Sequence, residues 1–190
     1  MKPATRHGNA RRAAPRPGLK DLYAAIRADT RSPRDWECLA ETVAAAVRPV
    51  LPSARQVLLA VPAAARHGAD RGQVLHVEPD GSFSVVALIT RPGYATSIHD
   101  HTSWCVVGVV AGQECEERFR VAGAGGFLEL TGTRTDDTGA VAGFAPPGDI
   151  HRVRNSGVGL GISLHIYGTD INRIGNSIRR TYDLPVRSAR

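Results

Sequence analysis

Gly93-Tyr-Ala-Thr-Ser-Ile-His99-Asp-His101-Thr-Ser-Trp-Cys105-Val-Val-Gly-Val-Val-Ala-Gly112 decides how this chain is read. Two histidines lie one residue apart at the head of a β-branched, apolar run, which is the composition of a strand. Alternate side chains of a strand share a face, so His99 and His101 point one way and Asp100 the other. Two imidazoles on one face can share a metal ion, and a third ligand need only arrive from elsewhere in the chain. His151 is the candidate, in Pro146-Pro-Gly-Asp-Ile-His151-Arg-Val-Arg-Asn155.

The two stretches together resemble the paired motifs of the cupin superfamily. Gly93, His99, His101 and Gly112 match the first motif, with Cys105 at the position where a Glu is usual. Pro146, Gly148, His151 and Asn155 match the second, whose leading glycine, Gly139, is one residue out of register. The run Ser163-Leu-His165-Ile-Tyr167 sharpens the likeness. Its Ser-x-His-x-Tyr spacing resembles that of cupin thiol dioxygenases of the cysteine dioxygenase and 3-mercaptopropionate dioxygenase kind.

That resemblance implies a mainly β fold, a cupin double-stranded β-helix or small jelly-roll barrel, with N-terminal helices packed outside it. It implies one Fe(II) held by His99, His101 and His151. It further implies a small thiol, L-cysteine or 3-mercaptopropionate, oxidised by O2 to a sulfinic acid. Ser163, His165 and Tyr167 become the catalytic relay, and Cys105 a residue the family can join to its tyrosine. Arg71 and Gln73 fall where the family holds its substrate carboxylate, although the tyrosine usual before that position is absent. Trp104, beside Cys105, is expected to wall the pocket.

The residues themselves leave other readings open. Three neutral imidazoles suit zinc, nickel, copper or ferrous iron, and three protein ligands leave coordination positions open for chemistry. Without a carboxylate ligand, a dication keeps its charge and attracts a thiolate. A cupin that binds metal without redox chemistry, as a sensor or binding module, also fits the triad, as does a different product from a cysteine-derived thiol. Such a module needs neither Tyr167 nor Cys105.

Composition narrows the class. The chain has 190 residues, 42% hydrophobic and 22% charged, an ordinary globular profile for one domain. The formal charge of +6 suggests nucleic acid until it is located. Five of the 24 basic residues, Lys2, Arg6, Arg11, Arg12 and Arg16, fall within residues 1–18, which hold no acid. That leaves 19 basic residues against 18 acidic ones. A nearly neutral body without a basic, aromatic-interleaved stripe points away from nucleic acid. No apolar run is long enough for a membrane span, so no membrane partner is expected. Three cysteines make no disulfide framework, and a cytoplasmic setting is expected.

Residues 1–18 read as a disordered basic arm, and residues 19–190 as a single cupin domain with helices over about 19–67, a barrel over about 73–170 and a short C-terminal segment. Leu19–Ile26 has helical spacing. A second helix is expected from Ser32, as cap, with Pro33 at its first position. It should run through Trp36, Leu39, Val43 and Val47, with Cys38 on its buried side. Short strands are expected at 74–78, 83–90, 105–110, 114–121, 127–130, 141–144, 151–153 and 159–167. Residues 131–139 read as a polar loop, residues 171–182 as a small helix, and the last residues as disordered.

Overall fold

The computed structural model describes residues 17–31, 35–124 and 126–188. Three helices open the described chain: α1 (Leu19–Thr30), α2 (Trp36–Val47) and α3 (Ala54–Ala60). Eleven strands follow, interrupted by one short helix: β1 (Gly72–Val77), β2 (Ser84–Thr90), β3 (His99–His101), β4 (Cys105–Ala111), β5 (Gln113–Ala122), β6 (Phe127–Asp137), β7 (Val141–Phe144), β8 (His151–Asn155), β9 (Gly161–Tyr167), α4 (Ile171–Ile174), β10 (Ile178–Thr181) and β11 (Val186–Ser188).

The strands form two sheets, in the orders β1-β2-β9-β4-β7 and β10-β3-β8-β5-β6-β11. The eight strands from β2 to β9 pass back and forth between the sheets, apart from the β5–β6 hairpin, so that the order is second-ninth-fourth-seventh in one and third-eighth-fifth-sixth in the other. That is the jelly-roll order of a double-stranded β-helix, the barrel the two motifs lead one to expect.

Strands β2 and β9 of the five-stranded sheet are buried on both faces, which explains the continuous apolar run Val85–Ile89 of β2. Val85, Ala87 and Ile89 of β2, with Leu164 and Ile166 of β9, join the core that also holds Leu22, Ile26, Val43 and Val47 of the helices. The alternate residues of both strands face into the barrel. Burying Leu22 or Ile26 completely contributes about 1.5–3 kcal/mol each, so the helices stabilise the sheet as much as they cover it. Their approach is close. A β-carbon on Gly143 of β7 would sit 2.4 Å from the Ala40 carbonyl oxygen, so only glycine admits α2 there.

Several expectations require correction. Asp35 caps α2, accepting from the Cys38 N–H at 2.9 Å, and Ser32 and Pro33 lie outside the described residues. The buried stripe of α2 is Leu39, Ala40, Val43, Ala44 and Val47, which leaves Cys38 exposed and Trp36 46% exposed. The polar stretch 131–139 is not a loop as far as Asp137. It continues β6, where Thr133 and Thr135 pair with Glu117 and Cys115 on an exposed stretch that selects no apolar pattern. The expected C-terminal helix stops at Ile174, where Gly175 adopts φ +83°. The chain then returns as β10 against β3 and as β11 parallel to β6. Residues 1–16 of the expected basic arm lie outside the described residues. No helix among the described residues is long and apolar enough to cross a membrane.

Candidate metal centre

His99, His101 and His151 converge inside the barrel. β3 supplies the first two on one face, and β8 places His151 in register with His99. All three side chains are buried, their ring centroids stand 4.8–5.0 Å apart, and one nitrogen from each lies within 4.8 Å of the others. Each ring is oriented by its Nδ1. That of His99 lies 2.9 Å from the Ser97 carbonyl oxygen, that of His101 2.9 Å from Asp149 Oδ2, and that of His151 3.1 Å from Glu116 Oε1. Donation from each Nδ1–H leaves the three Nε2 lone pairs for an ion, the arrangement by which outer partners fix the tautomer of ligating histidines. Phe144 packs its ring 5.4 Å from that of His101 and 5.0 Å from that of His151.

The charge states match that purpose. Burial, reinforced by the nearby His151, pushes His99 down to about 4, and burial lowers His101 against the pull of Asp149, so both rings are neutral near pH 7. Burial would raise Glu116, but its hydrogen bond to His151 and the charges of His151, Arg118 and Arg134 prevail and hold it at about 2. Asp149, despite its burial, is likewise lowered by its two hydrogen bonds from His101. A metal here would therefore meet three imidazole nitrogens, those of His99 and His101 neutral, backed by two carboxylates. The expectation that the site keeps a dication's full charge needs correction, because Asp149 and Glu116 offset it from behind the rings. The donor set fits a divalent transition metal: three imidazoles, held, desolvated and with matched hydrogen-bond acceptors.

The relay residues stand on the facing sheet. Ser163, His165 and Tyr167 occupy alternate, inward positions of β9, and Ser163 Oγ lies 3.1 Å from His165 Nε2. The Tyr167 hydroxyl lies near Ser177 and away from His165, whose ring centroid is 6.1 Å from its own. Burial drives His165 down to about 3 and raises Tyr167 above its usual range, so both are neutral. The Tyr167 ring sits 5.9 Å from that of His101.

Cys105 is the direct cross-strand partner of Tyr167, because β4 and β9 pair there. Opposed residues on neighbouring antiparallel strands hold their β-carbons about 5 Å apart on one face. The chain leaves β3 at residues 102–104 and enters the other sheet, so Cys105 reaches the site from across the barrel. Burial raises its thiol well above the usual range.

A cavity of about 290 Å³ opens over this cluster and is bordered by His99, His151, His165 and Tyr167. Arg71 stands on its lining. Gln73 does not line it; its amide donates to the Arg71 carbonyl oxygen at 3.4 Å. Trp104 does not line it either. It is buried in the helix-facing core, over Gly168, where a β-carbon would fall 2.0 Å from the indole nitrogen. Arg152, next to His151, turns outward to Glu117 at 2.8 Å.

Reading the sequence alone misses four residues of this centre. Asp149 lies inside the second motif, and Glu116 with Glu114 forms an acid-x-acid alternation within a strand, a signal of inward-facing carboxylates. Glu114 is 4% exposed; burial first, then the charges of Asp136 and Glu116, raise it to about 7 against the opposing influence of nearby Ser163. Ser177, near the Tyr167 hydroxyl, sits in the segment read as helix and carries no local signal.

No family model matches the chain. Among solved structures it is similar to an uncharacterized conserved protein with a double-stranded beta-helix domain from Klebsiella pneumoniae, at 18% identity over 53% of this chain and 76% of that one, with a TM-score of 0.43. It is also similar to a cupin 2 conserved barrel domain protein from Salinispora arenicola, at 20% identity over 55% and 82%, with a TM-score of 0.40. The oxalate decarboxylase of Lactobacillus farciminis matches at 21% identity over 55% of this chain and 31% of its own, with a TM-score of 0.43. At these identities and TM-scores the likenesses bear on neither substrate nor metal. The jelly-roll strand order and a histidine triad able to hold a metal stand on the chain's own geometry.

Proposed function

We propose that the protein is a non-haem iron(II) thiol dioxygenase, converting a small thiol RSH and O2 into the sulfinic acid RSO2H. Both oxygen atoms go to sulfur, the thiol hydrogen is retained in the acid, and no external reductant is required. The observation that carries this reading is one arrangement inside the barrel: the triad His99, His101 and His151, the neutral pair His165 and Tyr167 across the cavity that His99 and His151 border, and Cys105 buried in register with Tyr167. The motif likeness to cysteine dioxygenase-type cupins supports it. A cupin that only binds a metal has no need of the Ser163–His165 bond or of a buried phenol beside the triad.

Iron(II), when bound by the three Nε2 atoms, supplies coordination for the thiolate and activation of dioxygen. The protein does the rest. Asp149, Glu116 and the Ser97 carbonyl oxygen keep the imidazoles in their ligating tautomer. Tyr167 keeps its proton and can donate a hydrogen bond into the cavity at the moment charge shifts on sulfur or oxygen. Ser163 holds His165 through Nε2, which leaves Nδ1 as the nitrogen for the cavity that His165 lines. Arg71 is the cation placed to meet a substrate carboxylate.

The test is metal analysis of protein expressed with added iron, then oxygen uptake and product mass with a panel of small thiols. Stoichiometric iron, and a product heavier by two oxygen atoms, is the expected result. His151→Ala should lose most of the metal. Full iron retention in that variant, or no thiol-dependent oxygen uptake by iron-loaded protein, would reject the reading.

A further inference from the structure

The cavity over the triad carries its own information about what enters it. Its walls include Val86 and Leu88 of β2, Val153 of β8 and Ile171 of α4. The apolar character continues to the surface, where Val74 is 49% exposed and Ile178 37% exposed, both on the lining. Large apolar side chains left this exposed around an opening mark a place where an apolar ligand gains by covering them. The cavity volume of about 290 Å³ is at the low end for pockets that enclose whole organic ligands.

Its charges are one-sided. Among the described residues, Arg71 is the cation of the lining and no Asp or Glu contributes to it. Arg71 is exposed, and no carboxylate is paired with its guanidinium among the described contacts. The acids nearest the triad, Asp149 and Glu116, lie behind the rings and are already engaged by His101 and His151. The amino group of cysteine would therefore enter a cavity whose polar lining, Tyr94, Thr96, Ser97, Asn176 and Ser177, is uncharged, with no anion to meet it, a costly desolvation. A carboxylate has a partner in Arg71, and methylenes between sulfur and carboxylate have apolar walls to cover.

We propose that this cavity takes a mercaptocarboxylic acid with a longer apolar body than cysteine or 3-mercaptopropionate and with no amino group. The sulfur would lie at the histidine triad, the chain along Val86, Leu88 and Val153, and the carboxylate at Arg71. This rests on the thiol dioxygenase reading for its sulfur chemistry, whereas the shape and charge of the cavity are independent of it. Each methylene moved from water onto apolar walls strengthens binding about fourfold.

Two measurements on the iron-loaded full chain test the assignment separately from the reaction. Under anaerobic conditions, dissociation constants are determined for 6-mercaptohexanoate, 3-mercaptopropionate, L-cysteine and cysteamine. Expected is 6-mercaptohexanoate at least tenfold tighter than 3-mercaptopropionate, with cysteine weaker than 3-mercaptopropionate and cysteamine weakest. Arg71→Gln should weaken 6-mercaptohexanoate about tenfold and leave cysteamine and the iron content unchanged. Tightest binding by cysteine or cysteamine, or no gain from the longer chain, overturns the assignment. So does an Arg71→Gln protein that binds the acids as before. Oxygen uptake with the same four thiols is then recorded. The expected binding order without any oxygen uptake would uphold the ligand class and reject the dioxygenase reading; uptake that favours cysteine would do the reverse.

Discussion

Glu114 and Tyr167 show how far single residues set the state of this barrel's interior. Glu114 has Asp136 and Asn155 as its cross-strand neighbours and no cation as a recorded partner, so ionising it is opposed by burial and by Asp136 and Glu116. Its folded value of about 7 lies above the ordinary 4.5, so the unfolded chain gives up this proton first as pH rises. The stability it contributes is full below about 4.5 and is lost as pH rises through about 7. Glu114→Gln keeps a polar group near Ser163 and removes the titration. Chemical denaturation at pH 8 should find it more stable than the parent, by an amount of order 3 kcal/mol, and equal to it near pH 4.5. A variant less stable at both values would make ionised Glu114 a structural anion. Tyr167→Phe should keep its iron and its fold, because no ligand nitrogen is lost. Its thiol-dependent oxygen uptake should fall ten- to a thousand-fold, about 1.4–4 kcal/mol of transition-state stabilisation. Loss of metal in that variant would place the phenol in the coordination sphere. The triad was legible because strand alternation and motif spacing are local properties of 99–101 and 146–155. Asp149, Glu116, Glu114 and Ser177 were not, because each acts on a partner brought to it only by the folded sheets.

At the scale of elements, the ligand strand β3 is three residues long and needs neighbours. It pairs with β8 through His99 and His151 alone, and with β10 along its other edge. Asp100, pointing away from the triad, is 1% exposed and joins the two elements: Arg179 and the Tyr182 hydroxyl, at 2.8 Å, both donate to its Oδ2. Its carboxyl lies below the usual range in spite of burial, through those two donors. Tyr182→Phe removes one of them and leaves the buried carboxylate with Arg179 alone, since its Oδ1 already lacks a partner among the described residues. The expected cost is about 1–2 kcal/mol, read as a lower melting temperature, with weaker metal retention during dialysis as the mark of a loosened β3. Equal stability and equal retention would mean that β10 does not support the ligand strand. The core strands were legible from their apolar residues, in the continuous run Val85–Ile89 and in the alternation of Ile162, Leu164 and Ile166. β10 and β11 were not, since Ile178–Thr181 is exposed throughout and its pairing with β3 comes from far along the chain. The end of β6 escaped for the same reason: Thr133 and Thr135 are strand residues by shape but carry no buried face.

For the whole molecule, acid is the condition that sets these groups against one another. His99 and His165 are held at about 4 and about 3, against an ordinary 6.5, chiefly by burial. Below 6.5 the unfolded chain takes up protons that the folded barrel refuses at these two rings. The stability they confer is therefore full above 6.5 and drains away as pH falls through about 4 for His99 and about 3 for His165. Together they amount to several kcal/mol, more than Glu114 returns over the overlapping range between about 7 and 4.5. Protein treated with a chelator should show a melting temperature that stays nearly level from pH 8 to about 6.5, where the two effects offset one another, then falls steeply by pH 4. Glu114→Gln should lose that plateau and begin to fall near pH 7. A divalent metal should lift the melting temperature at pH 7.5 by binding only the folded triad, and that lift should shrink on acidification as protons compete for the same nitrogens. A chelated protein that grows steadily more stable down to pH 5 would contradict the neutral, buried state assigned to His99 and His165. An unchanged melting temperature on adding metal at pH 7.5 would leave the triad without the ion its second-sphere carboxylates are arranged to support.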